Sequence, residues 1–272
     1  LAAFLLVIVG VVLYRTSHFA IQLPDDEPIP LAEIDGEEVA RHIGLAIQLK
    51  TISNTDPAKV DPLPFEGLRN LLQVLYPQVD DHLTREVING GGLLYTWQGT
   101  EPDLDPIALA AHQDVVPANE AADSGWTHPP FAGEIADGYV WGRGALDCKG
   151  SLISIMEAVN NLIRDGFAPR RTVYLLFGHD EECSGTHGAV ALADILEARG
   201  VRLALLLDEG GSVTTSTLPG IESPVAMIGV TEKGHLSLKL KATTKLGHAS
   251  TPSTPTAIGA LSLAIATLEN NP

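Results

Sequence analysis

The sequence predicts an α/β fold with a mainly parallel sheet and helices on both of its faces. Between residues 107 and 207, short and continuously apolar segments alternate with segments whose apolar residues recur at helical spacing. Strands that are buried on both faces have this continuous apolar character, and the helices that connect parallel strands cover both sides of the sheet. A length of 272 residues suffices for one good hydrophobic core, or for one core and part of a second.

Two helices and a hairpin precede the alternating region. Apolar residues at helical spacing predict a helix over residues 37–49 and a second helix over 65–75. Residues 83–97 have the pattern of a hairpin, with an Asn-Gly-Gly turn at residues 89–91. The strands and helices that follow are predicted at residues 107–111 (strand), 151–163 (helix), 172–177 (strand), 187–198 (helix) and 204–207 (strand).

The pattern changes after Gly234. Leu236, Leu238 and Leu240 alternate with polar residues, which predicts a half-exposed antiparallel strand. Residues 257–268 then have helical spacing. We therefore divide the chain into a catalytic domain over residues 37–233 and the beginning of a second, smaller α/β domain over 234–272.

The N-terminus carries an apolar segment of its own. Residues 1–14 are uncharged and apolar, and Arg15 follows them. Fourteen residues fall short of the roughly 20 that span a bilayer as a helix, but the chain begins with Leu rather than Met. Residues 1–20 are predicted to be a signal anchor in contact with the membrane, with a cleaved signal peptide as the alternative. The proline-rich residues 21–36 form a linker, and we expect a catalytic domain outside the cytoplasm, in a periplasmic, extracellular or vacuolar compartment.

Composition excludes some classes of protein. The formal charge of −17, from 34 acidic and 17 basic residues, argues against nucleic-acid binding, which needs a basic face. The hydrophobic content of 45% is that of a globular protein. Two cysteines, Cys148 and Cys183, form no disulfide framework. A dinucleotide-binding fold is excluded because no G-x-G-x-x-G motif follows the first strand.

Metal-binding side chains follow the strand-like segments. In parallel sheets, functional groups collect beyond the carboxyl ends of the strands, so residues at these ends are expected to converge. Imidazole and carboxylate groups are the ligands that zinc takes in catalytic sites. The candidates are His112 and Asp114 in AHQD, Asp147 in GALDCKG, Glu181 and Glu182 in GHDEECSG, and Asp208 in LLLDEGG.

These residues suffice for most of a two-zinc site. In such a site one carboxylate bridges the two ions and a separate base serves the water. We expect His112 and Asp208 to bind one zinc, Glu182 to bind the other, and Asp147 to bridge them. That assignment leaves Glu181 as the general base, and Asp114 as the carboxylate that orients the imidazole. Taken singly, each could instead be a structural histidine, a solvated turn residue or a helix cap.

The order of the motifs resembles that of the M20 metallopeptidases. The matching segments are HQDVVPA, WTHPPFAGEIADGYVWGRGALDCKG, FGHDEECSG, LDEGG and GHASTP, and the resemblance extends from about residue 35 to the end. Within the family it points to the carboxypeptidase S and Gly-Xaa carboxypeptidase branch, which includes secreted N-acyl-amino-acid hydrolases. The resemblance implies two zinc ions per subunit and hydrolysis of a peptide or amide bond next to a free carboxylate. Carboxylate-rich sites also accept cobalt or manganese.

The resemblance also assigns roles. It gives His112, Asp114, Asp147, Glu181, Glu182 and Asp208 the same roles as above. It implies a cis peptide bond between Asp147 and Cys148. It further implies that the smaller domain is a lid that mediates homodimerisation, and that His248 of the lid contacts the developing oxyanion. The family's last zinc-binding histidine is expected beyond this chain, so the chain alone is expected to lack one ligand and to be inactive.

Two other functions remain open from the sequence. A two-metal phosphoesterase would also use a carboxylate-rich site, although the order of the motifs counts against it. A truncated or inactive homologue would act only as a binding or scaffold module. Bound metal distinguishes an enzyme from a scaffold, and an N-acyl-amino-acid substrate distinguishes the peptidase from the phosphoesterase.

Overall fold

The computed structural model describes residues 2–18, 33–121, 123–215, 220–231, 234, 236–244, 248, 250 and 254–271. The chain divides into two compact units, Leu1–Glu209 and Gly210–Pro272. The domain boundary predicted after residue 233 lies inside the second unit. Of the predicted linker, residues 21–32 lie outside the described residues.

The first unit alternates strands and helices in the predicted order. Its helices are α1 (Ala2–Ser17), α2 (Gly36–Ile47), α3 (Pro62–Leu75), α4 (Pro77–His82), α5 (Lys149–Arg164) and α6 (Ala189–Ala198). Its strands are β1 (Thr84–Ile88), β2 (Gly92–Trp97), β3 (Ile107–His112), β4 (Glu134–Ala136), β5 (Tyr139–Trp141), β6 (Val173–Gly178) and β7 (Leu205–Leu207). The predicted hairpin is β1–β2, and the predicted alternation is β3, α5, β6, α6 and β7. All of these predictions are confirmed, with boundaries that move by up to about two residues in most cases.

The central sheet has the order β1-β2-β6-β3-β7. Strands β6, β3 and β7 are parallel, whereas β1 and β2 form an antiparallel pair at one edge. In the register of β3 with β6, His112 lies opposite Gly178. The two strands therefore end at the same level, and the residues that follow them emerge at the same edge of the sheet. Strands β4 and β5 form a separate two-stranded hairpin.

Helices cover both faces of this sheet, as predicted. On one face Leu175 and Phe177 belong to the main core, which is closed by residues of α2, α3, α4 and α5. On the other face Leu176 packs against Leu192 and Leu196 of α6. Successive side chains of a strand point to opposite faces, so β6 needs apolar residues at nearly every position to serve both cores. This explains the uninterrupted apolar segment in the sequence.

The second unit contains the short antiparallel pair β8 (Val213–Thr214) and β9 (Val225–Ala226), and helix α7 (Ala257–Glu269). The helix predicted over residues 257–268 is thus confirmed. The strand predicted from Leu236 to Leu240 is wrong for the described residues, because residues 236–240 form no strand. Leu236, Leu238 and Leu240 are all exposed. Apolar alternation makes a strand only where a neighbouring strand takes its backbone hydrogen bonds.

The apolar N-terminal segment forms α1, a helix of 16 residues. Its apolar side chains are exposed. Among the described residues, no helix has both the length and the apolar character needed to cross a membrane. Contact of this segment with a membrane stays a prediction.

Candidate active site

His112 is the last residue of β3, and its ring is buried. Its Nδ1 lies 2.9 Å from the carbonyl oxygen of Asp114 and 3.3 Å from Asp114 Oδ1. Because a carbonyl oxygen only accepts, Nδ1 donates this hydrogen bond. The ring is thereby fixed with Nε2 directed away from Asp114, as in metal-binding histidines, whose second nitrogen is held by a carboxylate or carbonyl group.

Carboxylates from three segments surround His112 Nε2. Its distances are 2.9 Å to Asp147 Oδ1, 3.4 Å to Glu209 Oε2 and 3.9 Å to Glu181 Oε2. Glu182 also belongs to this cluster, because ligand atoms of His112, Glu181 and Glu182 all lie within 4.8 Å of one another. The structure therefore brings together the predicted residues of the β3, α5 and β6 ends.

Asp114 joins two parts of the site. Its side chain has no exposed surface, and its Oδ1 and Oδ2 accept hydrogen bonds from the backbone N–H groups of Glu181 and Glu182, each at 3.1 Å. These two residues begin the 3-10 turn Glu181–Cys183 after β6. Asp114 therefore fixes two parts of the site. It holds the turn that carries both glutamates, and it also holds the imidazole of His112. This is more than the orienting role that the sequence predicts for it.

The segment before α5 contributes Asp147 and packs against β3. The peptide bond between Asp147 and Cys148 is cis, as the resemblance implies. The buried Cys148 Sγ accepts a hydrogen bond from the backbone N–H of His112 at 3.0 Å. Cys148, His112 and Glu209 form a second set of possible ligand atoms within 4.8 Å. The thiol thus lies at the site, while Cys183 contacts Ser53 Oγ at 3.5 Å.

Lys149, the next residue, is an unexpected buried cation. Its Nζ donates hydrogen bonds to the carbonyl oxygens of Ala46, at 2.9 Å, and Leu49, at 2.5 Å. These carbonyls lie at the C-terminal end of α2. The hydrogen bonds of Lys149 therefore connect the end of α2 to the beginning of α5. Burial lowers the pKa of Lys149 to about 7, and the negative charge of Asp114 offsets this only in part.

This depressed pKa predicts a pH dependence of stability. Between pH 7 and 10 the unfolded chain binds a proton at Lys149 that the folded chain does not, so the free energy of unfolding rises with pH. Relative to Lys149→Met, which cannot titrate, the wild type is expected to gain about 2 to 3 kcal/mol from pH 7 to 9. Urea denaturation at both pH values measures this difference. Equal changes in the two proteins would contradict it.

The structure places Glu209, not Asp208, beside His112. The exposed Asp208 side chain accepts a hydrogen bond from the backbone N–H of Glu209 at 2.8 Å. Successive side chains of an extended segment point in opposite directions, so only one of two adjacent acidic residues faces the site. Glu209 directly follows Asp208 in the same LLLDEGG motif, but the motif alone did not indicate which of the two acidic residues faces the site. The ligand role of Asp208 stays a prediction, and Glu209 becomes the better-placed candidate.

His248 belongs to the second unit. Its Nδ1 lies 2.8 Å from Ser250 Oγ. The contact with a developing oxyanion that the resemblance implies stays a prediction.

Electrostatics favour positive charge at the centre of the site. Burial opposes protonation of His112, but hydrogen bonds with Asp114, Cys148 and Glu209 outweigh it and raise the pKa of the imidazole. Burial raises the pKa of Glu181, and the nearby His112 offsets this only in part. Burial also raises the pKa of Glu182, with Asp147 adding to the effect. The acidic groups thus stabilise a cation among them.

The ligand atoms fit a divalent metal ion. Two ligands of one tetrahedral zinc ion, each at about 2.0–2.2 Å, lie roughly 3.3–3.6 Å from each other. The separation of His112 Nε2 from Glu209 Oε2, 3.4 Å, lies within this spacing, and its separation from Asp147 Oδ1, 2.9 Å, is shorter. Imidazole and carboxylate groups are among the ligands that zinc takes in catalytic sites.

The fold is a mixed α/β fold, and a cluster of possible metal ligands lies at the carboxyl ends of its parallel strands. Residues 108–269 match the family described as Peptidase family M20/M25/M40. The chain belongs to this family. The family implies divalent metal binding, in agreement with the ligand cluster around His112. Membership in a peptidase family also counts against the phosphoesterase alternative.

Several curated proteins are similar over most of this chain. It is 40% identical over 239 residues to "Probable carboxypeptidase S-like 2" of Dictyostelium discoideum, covering 86% of this chain and 46% of that protein. It is 39% identical to "Carboxypeptidase S" of Saccharomyces cerevisiae, covering 84% and 40%. It is 38% identical to the human "N-fatty-acyl-amino acid synthase/hydrolase PM20D1", covering 84% and 45%. The chain thus spans somewhat less than half the length of these relatives.

The fold is also similar to that of a solved structure. The crystal structure of human carnosine dipeptidase 1 matches with a TM-score of 0.50 and 19% sequence identity, covering 66% of this chain and 40% of that one. At this identity the match shows similarity of fold alone.

Proposed function

We propose that the protein hydrolyses a peptide or amide bond next to a free carboxylate, with N-acyl amino acids or small peptides as substrates. The observation that carries this proposal is the convergence of Asp147, Glu181 and Glu209 on His112 Nε2, in a chain of the M20 family. The names of the similar proteins, carboxypeptidase S and N-fatty-acyl-amino acid synthase/hydrolase, support the substrate class.

The proposal includes two bound divalent metal ions, and zinc is the first candidate for both. His112 and Glu209 would bind one ion, with Asp208 as the alternative to Glu209. Glu182 would bind the other ion, and Asp147 would bind both. Bound ions would polarise the scissile carbonyl and increase the acidity of water. Asp114 keeps the imidazole in the tautomer that leaves Nε2 available as a ligand.

Glu181 is proposed as the general base. Its carboxylate is half exposed and reaches to 3.9 Å from His112 Nε2, while its backbone is held by Asp114. A base that is anchored through its main chain can present its carboxylate at a fixed place beside the substrate. Glu181 would accept the proton of the attacking water and then deliver it to the nitrogen of the leaving amine. The raised pKa of Glu181 suits both transfers, because it brings the group closer to neutral pH.

Three further properties belong to this proposal. His248 would stabilise the oxyanion from the smaller domain. That domain would mediate homodimerisation. The N-terminal segment would hold the enzyme at a membrane, or direct it for secretion, with the catalytic domain outside the cytoplasm.

Metal stoichiometry tests the proposal directly. The full-length protein is expected to contain close to two zinc ions per chain by elemental analysis. It should release the free amino acid from N-acyl amino acids, lose this activity with a chelator and regain it with added zinc. A phosphate ester serves as the control substrate and should not be hydrolysed. If the protein contained no metal and hydrolysed none of these substrates, the scaffold function would replace the proposed hydrolase function.

A further inference from the structure

Gln113 is the middle residue of the HQD motif, directly after His112, and it has no exposed surface. Its Nε2 donates hydrogen bonds to the carbonyl oxygens of Gly91 and Phe177, each at 2.9 Å, and of Gly178 at 3.1 Å. Because carbonyl oxygens only accept, these contacts fix the orientation of the amide and require a donor at this place. Among the described residues, Gln113 Oε1 has no hydrogen-bond partner. The side chain is therefore held through its donor group.

Two of these carbonyls belong to the last two residues of β6, and Glu181 follows three residues after the strand ends. The backbone N–H of Gln113 adds a further bond to the carbonyl of Gly178 at 2.9 Å. Asp114, the next residue, accepts the two N–H groups at the start of the turn after β6. Consecutive residues of one motif thus hold the segment 177–182, with a donor for its first carbonyls and an acceptor for its later amides.

The third carbonyl belongs to the Asn-Gly-Gly turn between β1 and β2. In the sheet, β6 lies between β2 and β3, so the bond from Gln113 to Gly91 crosses the end of β6. His179, the first residue after β6, packs against this turn, since a Cβ atom at Gly91 would lie 2.4 Å from its Cδ2 atom. A side chain at Gly91 would therefore displace the ring. The segment that leads to Glu181 is thus held between Gln113 and the turn.

The place of the Glu181 carboxylate depends on its main chain. The side chain is half exposed, and its Oε2 lies 3.9 Å from His112 Nε2, beyond hydrogen-bond distance. Its backbone N–H, by contrast, is bonded to Asp114. A shift of the main chain at the end of β6 would therefore move the carboxylate with it. A misplacement of about 1 Å can lower the rate of a catalysed reaction by about a hundredfold.

We propose that Gln113 is a positioning residue that acts through Glu181. Its amide binds the carbonyls before the turn and so fixes the point from which the general base reaches the attacking water. The assignment rests on the proposed function and deepens it, because it gives the middle position of the HQD motif a chemical requirement, a hydrogen-bond donor.

A double-mutant cycle with Glu181 tests the assignment in the full-length, metal-loaded protein. Gln113→Met keeps the length of the side chain but has no donor. It is expected to lower kcat on an N-acyl amino acid by about tenfold to a hundredfold, with little change in KM. In the Glu181→Gln background the same substitution should lower kcat by less than about twofold, because a misplaced base has no further effect once the base is removed.

Gln98→Met is the matched control, because it removes the same amide from the other end of β6. Gln98 Nε2 donates a hydrogen bond to Thr172 Oγ1 at 3.1 Å, directly before the strand begins. This variant should keep the wild-type kcat and the wild-type response to Glu181→Gln. Circular dichroism and elemental analysis confirm the fold and the metal content of each variant. If Gln113→Met does not fold, Gln113→Asn, which keeps the amide on a shorter side chain, replaces it in the cycle with a smaller expected loss.

The outcomes separate this proposal from the proposed function. An equal loss of kcat in both backgrounds would mean that Gln113 acts on the fold or on the metal ions, independently of Glu181. That result, or a wild-type kcat in Gln113→Met, would overturn the positioning role and leave the hydrolase function intact. A wild type that hydrolyses no N-acyl amino acid would overturn both.

Discussion

Glu181→Gln is expected to lower kcat by about a hundredfold to ten-thousandfold while the metal stays bound. Glutamine keeps the shape of the side chain and the backbone hydrogen bond to Asp114, but it cannot accept a proton from water. If Glu181 is the general base, the loss should appear in kcat, with little change in KM. Elemental analysis and steady-state kinetics on one N-acyl amino acid measure both quantities.

The control for this experiment is Glu197→Gln, which removes an exposed carboxylate from α6. It should keep wild-type kinetics. A Glu181→Gln protein with two bound metal ions and near-wild-type kcat would show that another group moves the proton. Loss of metal together with activity would instead indicate that Glu181 acts as a ligand.

The second large effect is expected at Asp114. Its two oxygens accept the N–H groups of Glu181 and Glu182 and also face His112 Nδ1, without any exposure to solvent. The side chain of asparagine has one acceptor oxygen, and its NH2 group would point two hydrogens toward these donors. We expect Asp114→Asn to lose about 2 to 4 kcal/mol in the free energy of unfolding, because buried donors are left without an acceptor. Metal affinity should fall by about 10- to 100-fold.

Urea denaturation of the metal-depleted protein isolates the effect on stability, and zinc titration with a competing chelator gives the affinity. Asp194→Asn, at an exposed position of α6, is the matched control and should change neither. Unchanged stability of Asp114→Asn would mean that the turn Glu181–Cys183 holds its place without this carboxylate.

The sequence predicts the first unit well because its signals are local and repeated. Continuous apolar strands specify a sheet that is buried on both faces, and parallel strands place their carboxyl ends at one edge. The convergence of His112 with Glu181 and Glu182 follows from these two rules. The strand expected over residues 236–240 lacked such support, since alternation alone does not supply a pairing partner.

Other parts of the site depend on details that periodicity does not contain. Whether Asp208 or Glu209 faces His112 depends on the direction of one side chain after a three-residue strand. The buried position of Lys149 follows from the carbonyls of Ala46 and Leu49 at the end of α2, which lie 103 and 100 residues earlier in the chain.

The parallel pairing of β3 with β6 also bears on the order of folding. The β1–β2 hairpin joins residues that are close in the sequence, whereas the hydrogen bond from Glu181 to Asp114 closes a separation of 67 residues. Contacts between distant residues form late, because the chain entropy of the enclosed segment has to be lost first. We therefore expect the nascent chain to acquire its metal-binding capacity only in the last stage of folding. Metal ions would then stabilise the finished enzyme and leave early intermediates unaffected.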